Sequence, residues 1–204
     1  MFKSSVVFIL FILSSSVWAV TEVNFDFGYD RTVYGDSRQN SVINRTYNGA
    51  IALYFFDYTA LEFNYTNGKQ VTSEKNKILI TNTNYSIMEM QNRLTTQVFG
   101  VGLRQALSSS KSRIKPMISM GYARQFTDDS TDYTLEENTT HVRNIISGAH
   151  TKKRNDAVFG TFALQLGITR NFAIKGSVQT IFPAFVWNKV RDNLKYLAGL
   201  TWVF

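Results

Sequence analysis

The chain contains no cysteine. Small exported domains commonly depend on disulfides, so this one must close its fold through backbone pairing and packing. Histidine is nearly absent as well. His141 and His150 are the two present, and their separation matches no metal-binding spacing. Ser119 and Ser147 are available as nucleophiles, but no local hydrolase signature surrounds them, so neither catalysis nor a cofactor is expected. After the first twenty residues no segment is apolar enough to cross a membrane as a helix, and helical periodicity is hard to find. These absences exclude a disulfide scaffold, a helix-anchored protein and a helical bundle.

The one continuous apolar run, Val6 to Leu13, stands at the front in "MFKSSVVFILFILSSSVWAV". It follows Lys3, is too short to span a bilayer, and leads into serines and Val17-Trp18-Ala19. That is the form of a secretory leader, residues 1–19, cut after Ala19. Residues 20–204 are then one exported domain. Its formal charge is +6, the +7 of the whole chain less Lys3. Such a basic chain suits nucleic acid or anionic headgroups equally well on charge alone; export favours the headgroups.

What the chain has in quantity is alternation. "VNFDFGY", "YNGAIALYFF", "ALEFNY", "QVFGVGLR", "IKPMISMGYAR", "VFGTFALQLGI", "FAIKGSVQTIF" and "LKYLAGLTWVF" each set bulky apolar residues at every second position. A period of two is a strand with two unlike faces, and eight such strands are expected. Their connections alternate between short turns and long segments, the latter at about 35–44, 66–92, 125–156 and 183–193. This describes an up-and-down antiparallel meander, and the asymmetry is that of a membrane barrel.

The face opposite the bulky one decides which side meets lipid. It is rich in Gly, Ala, Ser, Asn and Thr, with few charges. Small residues suit the interior of an eight-stranded barrel, so the bulky face should meet hydrocarbon, where every backbone group must be paired. Aromatic residues gather toward the strand ends in two girdles. Phe55, Phe172 and Trp202 fall at the short-turn rim, and Tyr65, Tyr122, Phe182 and Trp187 at the other. The expected fold is an all-β, eight-stranded, transmembrane up-and-down antiparallel β-barrel.

With these features the chain resembles the small eight-stranded outer-membrane barrels of Gram-negative bacteria, the OmpA/OmpX/OmpW-like superfamily. The most specific part is the terminal "GLTWVF", in which Gly199, Trp202 and Phe204 look like the signal read by the outer-membrane assembly machinery. The resemblance implies a monomer in the outer membrane, in contact with its lipid and lipopolysaccharide. The implied role is structural or adhesive toward an extracellular surface partner, through long external loops. The alternative is a narrow OmpW-like, porin-like pore for small apolar or anionic solutes. A lipid-modifying enzyme is a remote third.

Three sets of residues are candidates for function. Asp26, Glu62, Arg104, Lys115, Lys175 and Lys195 should project into the lumen, as an ion-selecting constriction or, preferably, as a paired polar network that fills it. Ile78, Ile80, Ile87, Met88 and Met90 lie outside the expected membrane span. They either form a contact patch or pack under the third long segment with Ile145 and Ile146. In that segment an acidic limb, Asp128 to Glu137, should face a basic limb, Arg143 and Lys152 to Arg154. Near "RLTTQV" the apolar register slips: a bulge lies there, or lipid contact begins only near Val98.

Overall fold

The alternating segments are strands, and they close on themselves. The computed structural model describes residues 21–109, 112–184 and 193–204. Its strands are β1 (Thr21–Tyr34), β2 (Asn40–Tyr54), β3 (Thr59–Glu74), β4 (Ile78–Leu79), β5 (Tyr85–Ala106), β6 (Ile114–Glu137), β7 (Arg143–Gly167), β8 (Phe172–Pro183) and β9 (Leu194–Val203). Each long strand pairs antiparallel with the next, β3 pairs directly with β5, and β1 pairs with β9 to complete the ring. The two-residue β4 adds to β5 outside the barrel, so eight strands form the cylinder.

The register turns the sequence alternation into an inside and an outside. Along β1, Asn24 and Asp26 are buried while Phe25 is 65% exposed. Ala50, Ala52, Ala60, Ala123, Ala157 and Ala173 lie inside; Leu53, Phe63, Val101, Ile118, Phe162 and Leu200 lie outside. In water such an exterior would be untenable; in lipid it is the correct face. Closure also removes free strand edges. The final residue is held this way, the Phe204 N–H donating to the Thr21 carbonyl at 3.0 Å. Nearby, the Asn171 side chain donates to the Val203 carbonyl at 2.7 Å.

Small inward residues make room for large ones. A Cβ at Gly121 would lie 2.7 Å from the Phe159 ring, so this glycine opens space that Phe159 fills. Phe159 packs with Val98, Ala123 and Ala157, and Ile181 lies against them. This apolar layer lines the interior along β5 to β8.

One sequence expectation is corrected, and one open alternative is decided. Most of 66–92 and 125–156 is strand, not loop: β5, β6 and β7 are 22, 24 and 25 residues long. Polar residues occupy both faces there, so the apolar period falls silent while backbone pairing continues. The slip near Gln97 is no bulge. Pairing of β5 with β3 is continuous from Gln105 to Met90, and Gln97 is simply an exposed outward residue above Phe99. The register shift in β5 comes further out, between Ile87 and Glu89.

Candidate functional site

The short-turn half of the lumen holds a charged cluster. Arg104 on β5 donates from Nε to Glu62 Oε2 at 2.7 Å and from Nη1 to Glu22 Oε2 at 3.1 Å. Ser119 on β6 donates to the same Glu62 oxygen at 2.6 Å, and the Tyr54 hydroxyl donates to Glu22 at 3.3 Å. All three charged side chains are about 4% exposed. The guanidinium fork spans β1 and β3, tying together strands separated by β2.

A second pair lies beside it. Lys175 Nζ is 2.8 Å from Asp26 Oδ2, and Asn48 donates to that same oxygen at 2.8 Å. Thr66 in turn donates to Asn48 at 2.9 Å. Charges taken out of water persist only when paired and hydrogen-bonded. Each of these groups is, and both clusters are buried within the barrel.

Beyond the apolar layer of Phe159, toward the long hairpins, the lumen opens into a cavity of about 550 Å³. Thr46, Gln70, Thr96, Val98, Ile181 and Leu197 contribute to its wall. Lys195 enters it from β9. Its ammonium reaches across the lumen to β3, where a Cβ at Gly68 would lie 3.3 Å from Nζ.

Outside the barrel the hairpins continue as a sheet. The last β7–β8 pair is Ala157 with Pro183; from Asp156 out to Arg143, β7 pairs with β6 alone among the described strands. That projection is about 45 Å of strand. Every residue from Arg143 to Asp156 is exposed. The expected opposition of acid and base is present. Asp128 pairs in register with Lys152, its carboxylate touches His150, and Glu136 accepts from Arg143 Nε at 2.7 Å. Two further acids are occupied from β5, Asp132 by Arg93 at 3.1 Å and Asp129 by Asn92 at 2.7 Å, and Glu137 accepts from Thr140 at 2.6 Å. His141 Nδ1 lies 3.3 Å from Glu136.

Of the six luminal candidates, the structure brings four into the two adjoining clusters: Asp26, Glu62, Arg104 and Lys175. Lys115 and Lys195 face inward but join neither. Lys115 is the second residue of β6, at the rim, and no carboxylate among the described residues pairs with it; Lys195 sits in the opposite half. Glu22 was missed, although extending the alternation of "VNFDF" back by one residue points it inward.

Among the girdle residues, Phe55, Tyr65, Tyr122 and Trp202 are exposed, with Phe172 and Trp202 edge-to-face at 6.1 Å. Phe182 is corrected: it shares the outward row of Val158 yet is 3% exposed, so its ring is withheld from lipid. Trp187 and residues 1–19 lie outside the described residues. Gly199 points into the lumen, whereas Trp202 and Phe204 point out.

The apolar loop residues divide. Ile78, Ile87 and Leu135 form one cross-strand row, and Met90, Tyr133 and Ile146 another. Ile80 closes the β4–β5 turn through its N–H, and Met88 occupies the bulge. Ile145, opposite Thr134, is 74% exposed on the other face.

No family model and no curated protein matches the chain. Solved structures do. The N-terminal β-barrel domain of OprF from Pseudomonas aeruginosa aligns with a TM-score of 0.52 at 14% identity, covering 91% of this chain and 98% of that one. Ail, the attachment invasion locus protein of Yersinia pestis, in complex with the heparin analogue sucrose octasulfate, aligns with a TM-score of 0.50 at 10% identity, covering 91% and 99%. At such identities the likeness is one of fold. The chain has the architecture of the small eight-stranded outer-membrane β-barrels.

Proposed function

We propose that this protein is an outer-membrane surface barrel with a closed lumen, whose work is adhesive contact through the protruding sheet. One observation carries the reading: β7 runs exposed from Arg143 to Asp156, with Ile145 and Ile146 near its tip and Lys152, Lys153 and Arg154 at its base. Exposed apolar residues rimmed by charge mark an interaction surface. The basic base of the hairpin suits an anionic partner, and it adjoins the level of lipopolysaccharide phosphates. Ail, of similar fold, was crystallised with a heparin analogue, which supports a sulfated or phosphorylated glycan as partner.

The test is binding of the folded barrel to immobilised heparin. Lys152→Gln, Lys153→Gln and Arg154→Gln together should weaken it severalfold and flatten its salt dependence. Unchanged binding would sink the glycan reading.

The leader and the terminal signal complete the proposal. Cleavage after Ala19 would deliver the chain for export, and Gly199 to Phe204 would engage the assembly machinery, the barrel then standing as a monomer. No reaction is assigned to His141 or His150, which are exposed and face Glu136 and Asp128. The narrow-pore alternative draws on the cavity around Lys195. Planar-bilayer recording separates the two, since steady single-channel steps would favour the pore.

A further inference from the structure

We infer that the outer half of the lumen is a blind binding site for a small organic monoanion, its carboxylate on Lys195 and its apolar body along Val98, Ile181 and Leu197. Lys195 is set apart from the paired interior cations by having no acid among the described residues, and from Lys115 at the short-turn rim by projecting into the cavity. Arg104 and Lys175 each hold a carboxylate within 3.1 Å, whereas no hydrogen bond or ion pair joins Lys195 to any described residue. Even the nearest inward neighbour is unused. Gln179 stands directly opposite Lys195 in the β8–β9 register and is 1% exposed, yet its Oε1 has no partner and the ammonium turns from it toward Gly68. A cation withdrawn from water calls for an anion, and this one projects into a cavity.

The cavity specifies the anion further. Its 550 Å³ falls within the roughly 300–1,000 Å³ usual for small-molecule sites. Val98 and Ile181 belong to the apolar layer, so with Leu197 they give the cavity an apolar stretch of wall. Asp30, the one acid among the described lining residues, stands on the inward row of β1 and accepts from Asn44 at 3.4 Å, whereas Arg45 and Lys69, which also border the cavity, are paired in register on the outward rows of β2 and β3. A second negative charge on the ligand would meet Asp30, which favours a monoanion over a phosphate. Below the cavity lie Phe159 and the ion clusters, so the ligand binds rather than passes. The inference rests on the closed lumen proposed above, not on the adhesive sheet.

Isothermal titration of the barrel, folded in a non-ionic detergent, with sodium octanoate is the test. Saturable one-to-one binding is expected, at least about tenfold weaker for octanol and for inorganic phosphate. Lys195→Met should weaken octanoate roughly tenfold or more, the loss expected when a charge-assisted hydrogen bond is removed, and Lys195→Arg should retain it. Should Lys195→Met fail the heat-modifiable migration that reports folding, Gly68→Leu serves instead by filling the cavity from the facing wall. Octanoate binding unchanged by a folded variant, or phosphate displacing octanoate at equal concentration, overturns the assignment. Bilayer recording on the same sample keeps the failures distinct: steady conductance with octanoate binding intact would remove the closed lumen and the blind end but leave the site.

Discussion

The carboxylate of Asp26 lies over Gly199 of the adjacent strand, in the space a side chain there would occupy. A residue that reads in sequence as part of a terminal signal is, in the fold, the clearance for a buried ion pair. Gly199→Ala should destabilise the barrel by about 1–3 kcal/mol through overpacking. The check is the urea midpoint at which the heat-modifiable band is lost; an unshifted midpoint would show that Asp26 has room to move.

Arg104 serves two carboxylates at once. Arg104→Met strands Glu22 and Glu62 and should cost about 3–5 kcal/mol. Combining it with Glu22→Gln and Glu62→Gln should recover much of that loss, because no charge is then left uncompensated. A single variant as stable as the parent would mean that water reaches this end of the lumen.

The exterior assignment is tested by two arginines. Leu164 faces out between Pro116 and Gly176, and Leu164→Arg should destabilise by about 2–4 kcal/mol if it lies at mid-membrane depth. Gln97→Arg, beyond the apolar belt, should cost about 0–1 kcal/mol. Equal costs at both sites would contradict the continuous register of β5.

Acid should loosen the tip of the β6–β7 hairpin. Hydrogen bonds from Arg143 and then His141 hold the Glu136 carboxyl below its ordinary range. A lowered carboxylate contributes stability in full above its unfolded value, about 4.3, and loses it as pH falls through the folded one. Amide exchange at residues 135–145 should therefore accelerate, relative to the intrinsic rate, as pH drops below about 4. Glu136→Gln should abolish that pH dependence; a parent-like profile in this variant would place the effect elsewhere.

The alternating segments made the barrel legible because the period of two is imposed by the strand itself and needs no partner to be seen. Where both faces are polar, as in β6 from Thr127 to Asp132, the same backbone geometry left no apolar trace, and strand was read as loop. Asp26, Glu62, Arg104 and Lys175 were legible as inward residues for the same reason. Their pairings were not, since shear displaces each strand along its neighbour and joins Arg104 to Glu22 across 82 positions.

By itself the sequence determined that these strands have one bulky and one small face, and so that a closed sheet in lipid was the arrangement in which both could be satisfied. Tertiary structure alone decided which inward cations found acids. Lys175 met Asp26 over Gly199 of the strand between them, while Lys195, on the inward face of that same strand, met none among the described residues. The difference lies in depth and stagger, quantities fixed when the ring closes and written in no single strand.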